Sequence, residues 1–397
     1  MRYKLILFSL IVIDLSILYF QTSTISISSA EASILYGKPS FLQYIVEKSI
    51  LIFGQNDFAL RLPMIIFHIS SIILMYKISQ TYIKSYKNRL WLIFLFILLP
   101  GVVSSAIIVN DAGVLIFGLL LFIYLYEHKH KYIYLALLLL FSFINGGFVY
   151  LYISLVFYYM NKKKFICVPY MIVLISISLY IHGSGIFGLP KGHFLDVIGV
   201  YSAIFTPIIF IYLTYTIYRK YLTKDIDIVW YIASTAFIIS LILSFRQRVS
   251  LEYFAPYLMV ALPLSAKIFI SSYRVRLKKY RTPYKLAFTF SLIFLISNTL
   301  AVFLNKYMFL YIENPQKHFA YNSYVAKELA LELKNRKFNC IKTDEEMQLR
   351  LKFYKIEKCN KNLLKKVDIM DEKNSNVTIS YMNRIVYRAY VTKLNNK

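Results

Sequence analysis

Long apolar runs separated by short polar loops occupy the first three quarters of the chain. Several of these runs approach the ~20 residues that a helix needs to cross a hydrocarbon layer about 30 Å thick. We therefore predict an α-helical polytopic membrane domain over residues 1–305 with about 11 transmembrane helices. The predicted spans are approximately 4–20, 62–80, 90–109, 112–127, 132–145, 147–161, 165–184, 197–217, 228–245, 253–272 and 286–305.

The pattern changes beyond residue 312, where the apolar runs shorten and Lys, Glu and Asn become common. Residues 324–336 repeat apolar positions at helical spacing, whereas 377–381 and 385–391 alternate or run apolar in the manner of short strands. We expect residues 312–397, called the tail below, to form a small soluble α+β domain outside the cytoplasm.

A large polar loop, residues 21–61, lies between the first two predicted spans and is called the first loop below. Its charged and amide side chains exclude it from hydrocarbon. A protein that only anchors or packs has little use for such a loop, whereas an enzyme acting at the bilayer surface needs polar groups at the water boundary. We therefore expect functional residues in the first loop.

Basic residues alternate between the loops, and loops rich in Lys and Arg stay on the cytoplasmic side. This predicts a cytoplasmic N-terminus, and, with an odd number of spans, an outward-facing first loop and tail. The localisation expected is the bacterial inner membrane. The basic residues of the loops predicted to be cytoplasmic are Arg2, Lys4, Lys84, Lys87, Arg89, Lys129, Lys131, Lys162, Lys163, Lys164, Arg219, Lys220, Lys224, Arg274, Arg276, Lys278, Lys279, Arg281 and Lys285.

Composition agrees with a membrane protein, because 58% of the residues are hydrophobic and 17% are charged. The formal charge of +26 is spread over many loops rather than gathered in one stripe, so no nucleic-acid partner is expected and contact with anionic lipids explains it better. Asp14 lies within the first span, where a hydrogen bond to a neighbouring helix is expected. Cys340 and Cys359 both lie in the tail, and a disulfide and two free thiols remain equally open.

The first loop ends with the sequence FGQNDFALRLP at residues 53–63, and Glu31 and the pair Lys38-Pro39 precede it. These residues resemble the multi-span, lipid-donor (GT-C type) glycosyltransferases that include aminoarabinose lipid A transferase and, more distantly, protein O-mannosyltransferases. The resemblance rests on the pattern Phe-Gly-x-x-(Asp/Glu)-Phe-Ala-x-Arg-Leu-Pro. It implies transfer of a sugar from a polyprenyl-phosphate donor to a lipid, glycan or protein acceptor on the outer face. The family's acidic motif Asp-Glu-Ala is represented by Ala30-Glu31-Ala32, so its leading aspartate is missing.

Two acids are the candidate catalytic residues. Glu31 occupies the acidic motif and is the predicted base for the proton of the acceptor hydroxyl, against the alternative of an ordinary hydrated acid. The resemblance places a second acid at Asp111, which could orient the acceptor or bind a divalent cation. The alternative for Asp111 is a cap for the fourth span, and both roles are compatible. No cofactor is certain, and Glu31 and Asp111 are the possible metal ligands.

Four outward-facing cations could bind the donor phosphate, whose developing charge must be neutralised. Lys38 matches the family's Lys-Pro pair, and Arg61 belongs to the signature of residues 53–63. Arg246 and Arg248 precede a segment that resembles the family's Tyr-x-x-Pro late span. The alternative for each arginine is snorkelling at a helix end.

Two further functions remain open. A transporter or flippase would show inverted repeats and paired helix breaks, but Gly146-Gly147 is the only such break visible and no matching half accompanies it. A degenerate family member that binds a lipid carrier without catalysis is suggested by Ala30 at the position of the missing aspartate.

Overall fold

The computed structural model describes residues 2–183, 192–312, 314–367, 376–382 and 384–393, and most of them are helical. The α-helices are α1 (Arg2–Thr24), α2 (Ser29–Tyr36), α3 (Phe41–Phe53), α4 (Asp57–Tyr82), α5 (Tyr86–Leu98), α6 (Pro100–Ile107), α7 (Asp111–Glu127), α8 (Lys131–Ile144), α9 (Val149–Asn161), α10 (Cys167–His182), α11 (Phe194–Phe205), α12 (Pro207–Leu222), α13 (Ile228–Ser244), α14 (Ala255–Met259), α15 (Leu262–Val275), α16 (Lys278–Phe303), α17 (Ala326–Asn335) and α18 (Glu345–Phe353). The strands are β1 (Asn362–Lys366), β2 (Val377–Tyr381) and β3 (Arg384–Lys393).

Each predicted span corresponds to one helix or to one interrupted pair of helices. Among the described residues, four helical stretches are long and apolar enough to cross a membrane: α1, α4, Ala255–Val275 and α16. Two bent pairs raise the number to six if each pair counts as one span. The remaining apolar helices are shorter than the usual span, so the number 11 stays a prediction.

Two of the predicted spans are interrupted at proline. α5 and α6 meet at Pro100 with a bend of 59°, and α11 and α12 meet at Pro207 with a bend of 106°. Proline begins the second helix of each pair because it lacks an N–H and disfavours helical backbone in the residue before it. Thr206 adopts φ 66° at the second break. The spans predicted over 90–109 and 197–217 therefore each correspond to two helices with a sharp bend between them.

The chain divides into two compact units that do not follow chain order. The first unit contains Met1–Ser16 and Met64–Thr299, and the second contains Ile17–Pro63 and Leu300–Lys397. In contrast with the predicted division near residue 305, the first loop belongs to the same compact unit as the tail. Residues far apart in sequence therefore build the second unit together.

The core of the first unit is packed from α4 to α15, with buried aromatic side chains such as Phe122, Tyr152 and Tyr257. Its predicted polar contact is confirmed, because the Oδ2 atom of Asp14 on α1 lies 2.7 Å from the Nε2 atom of His68 on α4. Both side chains are buried, so each satisfies the other where water is excluded.

The second unit contains an antiparallel sheet in the order β1-β3-β2. The helices α17 and α18 directly precede this sheet in the chain. The helix predicted at 324–336 is α17, and the strands predicted at 377–381 and 385–391 are β2 and most of β3. The strand β1 was not predicted. Cys340 and Cys359 form a disulfide that closes a loop around α18, which settles the choice between a disulfide and two thiols.

Candidate functional site

The first candidate segment of the second unit is the start of α2, where the sequence has the cap pattern Ser28-x-x-Glu31. The Ser28 hydroxyl oxygen accepts a hydrogen bond from the Glu31 backbone N–H at 3.2 Å. In return, the Oε2 atom of Glu31 accepts from the Ser28 backbone N–H at 2.9 Å. This reciprocal capping box satisfies donors that the first turn of a helix leaves without partners.

Arg61 on α4 is the partner of Glu31. Its Nε donates to Oε1 of Glu31 at 2.9 Å, and its NH2 group donates to Oε2 at 2.8 Å. The remaining guanidinium hydrogens reach backbone carbonyl oxygens of the first loop, at distances of 2.7–3.0 Å; the acceptors are Thr22, Ile25 and Ser26. Both side chains of the pair are 0% exposed. A buried charge of this kind requires a paired and hydrogen-bonded partner.

This pairing bears on two predicted roles. Glu31 was predicted to accept a proton, but a carboxylate that binds a guanidinium through both oxygens is a weak base. Arg61 was predicted to contact a phosphate, but all its polar atoms face the interior of the second unit. The geometry therefore favours a structural role for both residues, in which they fix the path of the first loop. Their catalytic and phosphate-binding roles stay predictions.

Two other residues of the first loop lie at the surface. Ala30, at the position of the family's missing aspartate, is exposed in the first turn of α2. Lys38 is exposed in the short connection between α2 and α3. Lys38 is therefore placed where an anion from solvent or from a membrane surface can reach it, as its predicted role requires.

Asp111 in the first unit has a different environment from Glu31. Asn145 donates from Nδ2 to Oδ1 of Asp111 at 2.7 Å, and the Tyr253 hydroxyl donates to Oδ2 at 3.0 Å. Both of these donors are neutral, and Asp111 is only half-buried. The capping role considered for Asp111 belongs to Asn110, whose side chain accepts from the Gly113 N–H at 3.1 Å. Asp111 is thus an oriented acid without a cationic partner among these contacts.

Gly147 holds the partners of Asp111 in place. Its N–H donates to Oδ1 of Asn145 at 2.7 Å, and its carbonyl oxygen accepts from the Tyr257 hydroxyl at 2.7 Å. A Cβ atom on Gly147 would lie 2.7 Å from a methyl group of Leu115 and 2.8 Å from the Tyr253 ring. The Gly146-Gly147 pair, noted in the sequence only as a helix break, therefore permits close packing around Asp111.

Glu252 was missed by the sequence analysis, although it directly precedes Tyr253. Its side chain is exposed on the segment between α13 and α14. Neighbouring protein still displaces enough water to raise the pKa of the Glu252 carboxyl, and the negative charge of Asp111 raises this pKa further. Asp111 therefore acts electrostatically on the Glu252 carboxyl.

Arg246 and Arg248 lie on the same connecting segment as Glu252. Both arginine side chains are exposed. They are placed, like Lys38, where an anionic ligand has access to them. The sequence feature that indicated these two arginines was their position before a Tyr-x-x-Pro sequence, Tyr253 to Pro256.

The two possible metal ligands, Glu31 and Asp111, differ in the contacts that their carboxylate oxygens make. No group of three or more His, Cys, Asp or Glu side chains converges in the parts of the chain that the structure describes. Both oxygens of Glu31 already bind Arg61 and Ser28. Asp111, the other possible metal ligand, accepts hydrogen bonds only from the neutral side chains of Asn145 and Tyr253 among the contacts given above.

Comparison with known proteins gives a structural likeness. The chain is similar to the crystal structure of ArnT from Cupriavidus metallidurans in the apo state, with a TM-score of 0.55 and 12% sequence identity. The match covers 88% of this chain and 84% of that chain. No protein-family model and no curated protein matches the chain. The likeness shows that the chain has the ArnT-like polytopic membrane fold of GT-C type, so the fold implied by the sequence resemblance is confirmed.

Proposed function

We propose that this protein is an integral-membrane glycosyltransferase that moves a sugar from a polyprenyl-phosphate donor to an acceptor hydroxyl. The observation that carries the proposal is the oriented carboxylate of Asp111, held by Asn145 and Tyr253 in a chain with an ArnT-like fold. Because a fold alone does not specify a reaction, the assignment rests on what these side chains can do.

Asp111 is the proposed base. In the reaction the bond between the anomeric carbon and the donor phosphate oxygen breaks, and its electron pair leaves with the phosphate. The acceptor oxygen forms the new bond to the anomeric carbon and loses its proton to Asp111. Neutral donors at both carboxylate oxygens orient the group without neutralising its charge. A positioned base of this kind contributes typically ~10²–10⁴-fold in rate.

The leaving phosphate requires fixed positive charge. Lys38, Arg246 and Arg248 are the proposed phosphate contacts, because their side chains are exposed. Arg61, the fourth cation predicted from the sequence, forms a buried ion pair with Glu31. We therefore assign it to the structure of the first loop rather than to the donor.

The proposed location of the reaction is the outer face of a bacterial inner membrane. Two features support it: the alternation of basic loops, which predicts an outward-facing first loop and tail, and the disulfide between Cys340 and Cys359. Disulfides persist in oxidising compartments and are rare in the cytosol. A phosphatase fused after Lys397 is expected to be active, and an active cytoplasmic reporter at the same place would overturn this orientation.

The reaction is tested by comparing envelope glycolipids and glycoproteins, by mass, between wild-type cells and cells lacking the protein. The deletion strain is then complemented with the wild-type chain, with Asp111→Asn or with the control Asp196→Asn, whose side chain is exposed on α11. We expect a mass difference of one sugar that the wild type and the control restore and that Asp111→Asn does not. An Asp111→Asn protein that restores the sugar fully would remove Asp111 from the reaction.

The donor site is tested separately with undecaprenyl phosphate as the probe. Lys38→Ala and the pair Arg246→Ala with Arg248→Ala are each expected to weaken binding, since a hydrogen bond to a charged group contributes about 1.5–3 kcal/mol. Lys48→Ala is the matched control, because Lys48 is also an exposed lysine of the first loop. Unchanged affinity in the Lys38→Ala protein would exclude Lys38 from the donor site.

A second candidate function is binding of a lipid carrier without sugar transfer. The specific observation in its favour is Ala30, which leaves no carboxylate at the exposed position beside the paired Glu31. This function predicts that undecaprenyl phosphate binds the protein while wild-type and deletion cells carry the same envelope glycans.

A further inference from the structure

The tail contributes two side chains that bind one residue of the first loop. Both backbone groups of Ile27 are occupied in this way: its N–H donates to the Tyr354 hydroxyl at 3.0 Å, and its carbonyl oxygen accepts from Nε of Arg350 at 2.9 Å. These partners come from α18 and the residue after it, more than 320 positions further along the chain. Ile27 directly precedes Ser28, the cap of α2.

The same tyrosine also fixes the other end of the first loop. The Tyr354 hydroxyl donates to Oδ1 of Asp57 at 2.6 Å, where α4 begins. Lys327 of α17 contacts the other Asp57 oxygen at 2.8 Å and donates to the Ser23 carbonyl oxygen at 2.9 Å. The tail therefore connects the beginning of α2 with the beginning of α4 through a buried carboxylate.

Arg350 holds two backbone segments at once. Besides Ile27, it donates from NH2 to the Tyr324 carbonyl oxygen at 2.6 Å, and its side chain is 4% exposed. These contacts are hydrogen bonds to backbone carbonyl oxygens, and the one at Ile27 lies next to the capping box. Removing one partner of a buried hydrogen bond leaves the other unsatisfied, which gives such contacts control over the position of the chain.

We propose that Arg350 and Tyr354 are positioning residues, through which the tail sets the conformation of the first loop from Thr22 to Lys38. They touch neither Glu31 nor Lys38 among the contacts given above, and act by fixing the backbone that leads into α2. This inference rests on the proposed function, in which the first loop presents Lys38 to the donor. It gives the tail a role in the reaction that neither the family resemblance nor the fold assigns.

Tyr354→Phe is the sharpest variant, because it keeps the ring beside Phe353 and removes only the hydroxyl. Amide hydrogen exchange is measured on the full-length protein in lipid nanodiscs, in the first loop and in the strands β2 and β3. We expect about five- to tenfold faster exchange in residues 25–32 and unchanged exchange in the strands. Tyr390→Phe is the matched control, since Tyr390 is a partly exposed tyrosine on β3.

The functional part of the inference is measured with two readouts on the same variant: affinity for undecaprenyl phosphate and restoration of the envelope sugar in the deletion strain. We expect weaker affinity and reduced transfer for Tyr354→Phe, at equal amounts of folded protein, and wild-type values for Tyr390→Phe. Unchanged exchange in residues 25–32, or an equal increase in the strands, overturns the positioning role. If Tyr354→Phe exchanges faster in residues 25–32 but keeps wild-type affinity and wild-type transfer, the link between the positioning role and function is overturned.

The experiment separates this inference from the proposed function. If wild-type cells and deletion cells show the same glycans, glycosyl transfer is refuted, whereas the exchange and affinity measurements still decide whether Tyr354 positions the first loop. Arg350→Ala provides a second variant, which removes the donor to the carbonyl oxygen of Ile27, whereas Tyr354→Phe removes the acceptor of the Ile27 N–H. It is expected to loosen residues 25–32 as Tyr354→Phe does.

Discussion

Arg61 and Glu31, which are 30 residues apart, form a two-point ion pair whose side chains are both inaccessible to solvent. The pair lies within a shell of backbone carbonyl oxygens that complete the hydrogen bonding of the guanidinium. The free energy of such a pair is sensitive to loss of one partner, because the remaining charge is then buried without compensation.

Replacing Glu31 tests the structural role of this pair. We expect Glu31→Gln to lower the free energy of unfolding by about 3–5 kcal/mol, because Arg61 loses its counter-charge in the interior. Thermal unfolding of the purified protein measures the effect, and Glu47→Gln serves as the control at an exposed acid of α3. A Glu31→Gln protein that is as stable as the wild type but transfers no sugar would instead support Glu31 as the base predicted from the sequence.

Ala30→Asp asks whether the missing aspartate limits the reaction. Position 30 is exposed in the first turn of α2, where an acid interacts favourably with the helix dipole, so we expect no loss of stability. Restoring the family motif is expected to increase sugar transfer above the wild-type rate, measured with equal amounts of protein in the deletion strain. A rate equal to that of the wild type would show that this chain does not require the aspartate.

Gly147→Ala is expected to impair transfer through the surroundings of Asp111. The new Cβ would meet the Leu115 side chain, the Tyr253 ring and Oδ1 of Asn145 at 2.7–3.0 Å, and overpacking of this kind costs typically 1–3 kcal/mol. Gly199→Ala is the matched control, because a Cβ there has no neighbour within 4 Å. Equal transfer by the two variants would contradict the role given to Gly147.

His318 gives the second unit a dependence on pH. Burial lowers the pKa of the His318 imidazole, and the contact to the Asn305 carbonyl oxygen opposes this in part. The Ala320 N–H donates to Nδ1 of His318 at 3.0 Å. Protonation of Nδ1 would remove the acceptor and break this hydrogen bond. Because the unfolded histidine titrates near 6.5, the unfolded chain binds more protons below that pH. The contribution of the neutral His318 side chain to the stability of the second unit is therefore fully present above pH ~6.5, and it is lost as the pH falls from there through the lowered pKa of the folded state.

Protease resistance of the tail, compared between pH 7.5 and 5.5, measures this dependence. In His318→Asn the side-chain oxygen can still accept from the Ala320 N–H, but the titrating group is gone. We expect this variant to be less stable than the wild type at pH 7.5 and to lose less resistance on acidification. The same loss in both proteins would show that other groups cause the effect.

The disulfide between Cys340 and Cys359 is expected to stabilise the second unit by about 3 kcal/mol, since it closes a loop of 19 residues. The double replacement Cys340→Ser and Cys359→Ser should lower the urea midpoint for proteolysis of the tail. Dithiothreitol should lower the midpoint of the wild type to the same value and leave the double variant unchanged. A wild-type midpoint that does not respond to the reductant would contradict this stabilisation.

The sequence predicted the helical elements better than their continuity. Apolar runs of hydrocarbon length located the helices of the predicted spans, because long periodic segments are a strong signal. The shorter helices α2, α3 and α18 were not predicted. The breaks at Pro100 and Pro207 carried a local signal that the hydropathy of the surrounding run outweighed. The strand β1 was missed because Asn362–Lys366 has a single buried residue, Leu364, and pairs only through β3.

The candidate residues were predicted by type and position but not by partner. Glu31 and Arg61 were each singled out, yet their pairing depends on backbone folding over 30 residues that no local pattern encodes. Asn145 and Gly147 became significant only when they were found beside Asp111. Glu252 carried no motif of its own, and its relation to Asp111 is a property of three-dimensional proximity.

The contacts of Arg350 and Tyr354 with Ile27 have a consequence for biosynthesis. Ribosomes add roughly 5–20 residues per second, and 323 positions separate Arg350 from Ile27. The beginning of α2 therefore waits on the order of tens of seconds for side chains that complete its hydrogen bonding. A polypeptide released before position 350 would contain every apolar helix from α1 to α16 and still lack these partners, so the start of α2 gains its full set of hydrogen bonds only after those helices have been made.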